Sequence, residues 1–292
     1  MDNVARAFAL VGTVCLGLLA LVAVLAFSYA IHPPRYLSAR TPADLSWPFE
    51  RVSLTTRDGV GLKGWYIPRS GGSDGKAVIV LHGYPFSKGD ILGVTHFLHD
   101  YYDLFLFDFR YFGESDGAIT TLGHREWQDV VVAVDHLQGR GISSIGVWGF
   151  SLGAAVALLA LPHTEHVDAV VADSPYVDLG AMAMDYYGNI PLLSHTLTFF
   201  TDVLARTVVG VSPATVSPLV AASSAGTPLL FIHGASDRTI PPTHFERFRS
   251  ALAGKAHAEF WLIEDAGHGL TYATQRERYE ARVLAFFTRH LG

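Results

Sequence analysis

The chain holds one cysteine and three methionines in 292 residues, and only 16% of its residues are charged. A single cysteine excludes an intramolecular disulfide framework and a cysteine-rich zinc site. That residue, Cys15, lies inside an apolar stretch and reports nothing about redox compartment. There is no run of basic residues and the formal net charge is −6, which argues against a nucleic-acid surface. Internal repeats and low-complexity tracts are missing, and no nucleotide, flavin or metal pattern stands out. His163 and His166 lie three apart near an expected helix end without a third ligand. Neither metal nor cofactor is expected.

Apolar residues are what the chain has in excess: they make up half of it, and the mean hydropathy is +0.28. Much of that excess sits at the start. From Phe8 to Ile31 no residue carries a charge, and as a helix this stretch spans about 36 Å, enough for a hydrocarbon core of about 30 Å. An uncleaved, single-pass N-terminal membrane anchor is the reading, with residues 8–31 in contact with the bilayer. The competing reading is a cleavable signal peptide ending at Ser28-Tyr29-Ala30, although signal h-regions run to only about 7–15 residues. A buried core helix would need cover on every side. Arg6 precedes the stretch while Arg35 and Arg40 follow it, so charge sets no orientation.

Residues 32–50 carry Pro33, Pro34, Pro42 and Pro48 and read as a semi-rigid linker. Two alternating runs around Asp58-Gly59 then signal a hairpin. Apolar runs follow at Ala77–Leu81, Leu104–Phe109, Ile145–Trp148, Ala169–Ala172, Leu229–Ile232 and Phe260–Ile263. Between and after them come helical spacings: Trp127, Val131, Val134 and Leu137, then Tyr279, Val283, Phe286 and His290. Short buried strands alternating with helices predict an α/β fold, a mainly parallel twisted sheet covered on both faces. The hairpin adds antiparallel strands at one edge. The long segment at about 176–226, rich in Met, Tyr, Phe and Leu, is too long for a structureless loop and predicts a helical cap. Residues 51–292 are thus one domain with a cap insertion.

In such sheets functional groups gather beyond the carboxyl ends of the strands. There the sequence places "GFSLG", with Ser151 between Gly149 and Gly153; "HGASDRTIP", with Asp237; and "EDAGHG", with His268. The pentapeptide alone recurs by chance in roughly one chain in ten. A strand–turn–helix context around it, with an acid and a histidine following in order, is the setting in which the motif has a mechanism. Ser151 is the expected nucleophile, His268 its base, and Asp237 the group that orients the imidazole. Asp173, Asp265 and Glu264 are rival acids. The Leu152 N–H at the helix start supplies one oxyanion donor, and the N–H of Tyr84 in "HGYP" the second, since Pro85 has none. His82 and His233, each before a glycine at a strand end, read as structural.

"HGYP", "FDFRYFGESDG", "GFSLGA", "ADSPYVDL", "HGASDRTIP" and "AGHG" resemble the α/β-hydrolase superfamily over residues 51–292. Within it, the chain is similar to the single-span, membrane-anchored branch related to Bem46-like and serine aminopeptidase-like hydrolases. The resemblance implies the α/β-hydrolase fold, a triad of Ser151, Asp237 and His268, and oxyanion positions at Tyr84 and Leu152. One departure stands out. Relatives read Asp-x-Arg-Gly-x-Gly after the strand, whereas Tyr111 here replaces the first glycine, which predicts a loop of different shape.

The expected activity is hydrolysis of carboxylic esters through an acyl-enzyme on Ser151, with small-molecule esters or lipids as substrates. A serine peptidase or amidase using the same triad is the alternative. A non-catalytic, membrane-tethered binding module is the third reading.

Overall fold

The structure, a computed structural model, describes residues 2–188 and 190–292. Met1 and Asn189, which belong to the expected anchor and cap, lie outside the described residues. Among the described residues eight strands form one sheet: β1 (Glu50–Thr55), β2 (Gly61–Ile67), β3 (Lys76–Leu81), β4 (Asp103–Phe107), β5 (Ser144–Phe150), β6 (Ala169–Asp173), β7 (Leu229–Gly234) and β8 (Ala258–Ile263). Their spatial order is β1-β2-β4-β3-β5-β6-β7-β8. β1 pairs antiparallel with β2, and β2 with β4; every later pairing is parallel. The hairpin therefore forms the antiparallel edge, with Gly59 in the left-handed region at φ +85° where a turn demands it.

Among the described residues ten helices accompany the sheet: α1 (Asp2–Ile31), α2 (Lys88–Ile91), α3 (Trp127–Gly139), α4 (Leu152–Ala160), α5 (Leu179–Tyr186), α6 (Pro191–Leu204), α7 (Pro218–Ser224), α8 (Pro242–Ala251), α9 (Thr271–Thr274) and α10 (Arg276–Leu291). Successive strand residues point to opposite faces, and the inner strands are apolar on both. Ile79, Phe105 and Phe231 join Val130 and Val134 of α3, Val156 of α4 and Phe248 of α8 in one layer. Val80, Leu106 and Ile232 join Tyr279, Val283 and Phe286 of α10 in the other. Both faces are thus covered, which is why these strands read as continuous apolar runs.

Between β6 and β7 the chain leaves the sheet. α5 and α6, followed by a wide helical turn at Ala205–Val209, lie over the strand ends. α7 returns to the α4 face, where Ala222 is buried. α1 is long and apolar, and only 6% of its apolar stretch is buried. Its covered side packs against α6: Ala23 and Leu197 are fully buried there, with Leu19, Ala26, Leu193 and Phe200 around them. The segment after α1 lies on the domain. The Thr120 N–H donates to the Ile31 carbonyl at 3.0 Å, the Tyr111 hydroxyl to the Pro33 carbonyl at 2.7 Å, and Arg35 to the carbonyls of Gly113 and Ser115.

Candidate active site

β5 ends at Phe150 and α4 begins at Leu152, so one residue, Ser151, makes the whole turn. Its φ of 55° and ψ of −114° lie outside the regions open to ordinary side chains, a strain of order 1–3 kcal/mol. The surroundings hold it. The Ser151 N–H donates to the Asp173 carbonyl at 2.8 Å, and its carbonyl accepts the first helical bond from Ala155 at 3.0 Å. A Cβ on Gly149 would run into the Gly153 carbonyl and stand 2.6 Å from the Ala154 nitrogen; one on Gly153 would meet the carbonyls of Leu81 and His82. The two glycines let strand and helix backbones touch, and the serine is exposed to the cleft by that contact.

Asp237 and His268 come from the loops after β7 and β8. Asp237 Oδ1 accepts the N–H groups of Thr239 and Ile240, both at 2.9 Å, which leaves Oδ2 free to meet His268 Nδ1 at 2.7 Å. His268 Nε2 lies 3.0 Å from Ser151 Oγ. Burial opposes the charge on Asp237, but the hydrogen bond and charge of His268 outweigh it, together with the Ile240 N–H and His233. Its carboxyl is held below the ordinary range. A carboxylate so placed fixes Nδ1 as the protonated nitrogen and leaves Nε2 to face the serine.

The rival acids lie elsewhere. Glu264 and Asp265 are exposed. Asp173 is buried and accepts hydroxyls from Thr271 at 2.6 Å, Ser174 at 2.9 Å and Tyr279 at 2.9 Å. Burial raises its pKa, and those hydroxyls pull against the rise. Through its backbone it holds Ser151, and through its side chain the Thr271 that follows His268. The "ADSP" stretch carries the signal for this role, a carboxylate closing a buried strand, although the sequence reading treated it only as a possible acid. His82 Nε2 accepts the Phe109 N–H at 3.1 Å and Nδ1 faces the Gly83 carbonyl at 2.9 Å. Burial lowers its pKa and keeps it neutral. His233 bonds the Ile240 carbonyl at 2.9 Å. Both histidines are structural.

Ser151 and His268 open on a cavity of about 320 Å³, whose lining residues are apolar or hydroxyl-bearing apart from His268. Tyr84 and Leu152 stand on its wall. As the first residue of α4, Leu152 has an N–H with no intrahelical acceptor. Burial pushes the Tyr84 phenol up to about 12, and its hydroxyl donates to the Tyr29 carbonyl at 3.3 Å. The cap supplies Leu179, Met182 and Ala183, and the end of α1 supplies Ala26, Tyr29 and Ala30. The contribution of α1 is absent from the sequence reading. Among the described residues no three His, Cys, Asp or Glu side chains gather as a metal site needs.

Where the sequence leads to an expectation of a differently shaped loop, Tyr111 itself takes φ +73°, a conformation glycine adopts readily, and its hydroxyl donates to the Pro33 carbonyl. Beneath it, buried Lys88 pairs with Asp108 at 2.5 Å and Glu114 at 2.6 Å, and Arg110 pairs with Asp129 and Asp58 at 2.7 Å each.

A serine turn between β5 and α4, served from the loops after β7 and β8 on an eight-stranded sheet, marks a serine hydrolase of the α/β-hydrolase fold. Residues 115–292 match the prolyl oligopeptidase family, and the chain belongs to it. It is similar to the esterase Pf2001 of Pyrococcus furiosus, with 32% identity over 90% of this chain and 99% of that one and a TM-score of 0.74. It also resembles the uncharacterized protein YfhR of Escherichia coli O157:H7, 28% identical over 76% of this chain and 74% of that one. The α/β-hydrolase domain-containing protein WAV2 of Arabidopsis thaliana is 24% identical over 86% of this chain and 82% of that one.

Proposed function

We propose that the chain is a membrane-anchored hydrolase of carboxylic esters that works through an acyl-enzyme on Ser151. The observation that carries this reading is the hydrogen-bonded series Asp237–His268–Ser151 opening on an apolar cavity. Ser151 Oγ attacks the ester carbonyl and passes its proton to His268 Nε2. Asp237 steadies the imidazolium, and the N–H groups of Leu152 and Tyr84 receive the oxyanion, each worth about 2.7–4 kcal/mol. His268 returns the proton to the leaving alkoxide. A water then attacks the acyl-enzyme by the same route and frees the acid. The esterase named among the similar structures supports an ester substrate, and the exposed, apolar α1 supports the anchor.

Amide or peptide cleavage is the second reading, favoured by the family match itself. The test is labelling by a fluorophosphonate, followed by matched esters and aminoacyl amides of one acyl group. Labelling lost in Ser151→Ala, with the ester turned over far faster, is the expected result. Faster turnover of the amide would select the peptidase reading, and an unlabelled folded protein would remove both.

A further inference from the structure

α1 does more than hold the domain near a surface. Ala26, Tyr29 and Ala30 in its last two turns are part of the wall of the cavity that contains Ser151. Ala26 and Ala30 are four apart and share one helix face. This end of the helix is bonded to the domain on both sides of its terminus: Tyr84 to the Tyr29 carbonyl, Thr120 to the Ile31 carbonyl and Tyr111 to the Pro33 carbonyl. One turn earlier, Ala23 is sealed against Leu197 of α6.

Length sets the depth of these contacts. At 1.5 Å per residue, a hydrocarbon core of about 30 Å takes up the helix from the residue after Arg6 to about Ala26. With the helix so placed, the part of α1 that carries α6 lies inside the half of the bilayer nearer the domain, and the turn that lines the cavity lies at its surface. α6 fits that depth. Away from α1 it exposes Leu192 (92%), Phe199 (63%) and Val203 (40%), which stand on one face at helical spacing. α1 is likewise bare over most of its length.

We infer that α6 lies in the same leaflet as the end of α1, and that the membrane helix completes the acyl-binding cavity. The substrate is then a long-chain ester of a bilayer lipid, with its acyl chain against Ala26 and Ala30. The inference rests on the ester-hydrolase reading above. The covalent chemistry is net hydrolysis through the acyl-enzyme on Ser151: the acyl C–O bond breaks, the alcohol leaves first, and water then supplies the hydroxyl of the fatty acid.

The full-length chain in phosphatidylcholine nanodiscs would be assayed on 4-nitrophenyl esters from acetyl to dodecanoyl. In Ala30→Phe the ratio of dodecanoyl to acetyl kcat/KM should fall by about tenfold, the range one hydrophobic pocket contact commands. Ala30→Val should fall between it and the parent, and fluorophosphonate labelling reports that each variant is folded. In phosphatidylcholine vesicles containing a diacylglycerol, Leu192→Asp with Phe199→Asp should lower the ratio of lipid to acetyl ester hydrolysis by at least about fivefold. Ratios unmoved in these variants would overturn the inference and leave the hydrolase intact. Ester hydrolysis that survives Ser151→Ala would instead overturn the reading on which it rests.

Discussion

Ser151 keeps a backbone conformation that an unconstrained serine would leave, and Gly149 and Gly153 are the reason it stays. Gly149→Val should abolish fluorophosphonate labelling or prevent folding, because its side chain would enter the backbone of α4. A fully labelled, stable Gly149→Val protein would contradict the turn geometry. Asp237→Asn keeps the shape of the loop but loses the charge that selects the imidazole tautomer. Its kcat on an acetyl ester should fall by about 10⁴, measured beside a circular dichroism spectrum that stays unchanged. Residue-scale legibility divides along the same line. The loops carrying Ser151, Asp237 and His268 were readable because each follows an apolar run directly. At Tyr111 the sequence shows that glycine is absent, but not that the tyrosine itself takes the left-handed conformation with its hydroxyl 2.7 Å from the Pro33 carbonyl.

At the scale of elements, the loops after β3 and β4 are locked together by charge. Lys88 is buried between Asp108 and Glu114, and Asp108 also accepts the N–H groups of Lys88 and Glu114. Lys88→Met leaves the Asp108 carboxylate buried without its cation, which costs about 3–5 kcal/mol. A thermal unfolding series should register a large drop in Tm, and an unchanged Tm would show that the pair contributes nothing. The strands and the amphipathic helices were legible by period. α1 was legible as a long apolar helix but not as a wall, because a helix apolar on all sides carries no periodic mark of the side that meets protein. Its alanines at 23, 26 and 30 are the only trace, and small residues at such spacing suit close helix packing in general.

The whole molecule responds to acid through histidines that fold in the neutral form. Burial lowers the pKa of His82 and of His233 below the ordinary 6.5. The unfolded chain takes up their protons once the pH falls below that value, whereas the folded chain does not until its own, lower pKa is reached. Their contribution to stability is therefore complete above 6.5 and is lost as the pH falls through the interval beneath it. His82→Gln, which keeps an acceptor for the Phe109 N–H, should flatten the pH dependence of unfolding free energy by at most about 1.4 kcal/mol per pH unit. Denaturant titrations between pH 7 and 5 would read the change, and parallel curves would refute the assignment of His82 as neutral.

The bond from Thr120 to the last carbonyl of α1 has a mechanical consequence. A loosely strung domain would let the bilayer swell or thin without noticing. Here, in the anchored protein we propose, a helix that leans to suit a thinner bilayer carries the serine with it as a lever carries its load. Lipid composition would then act on this enzyme as an angle.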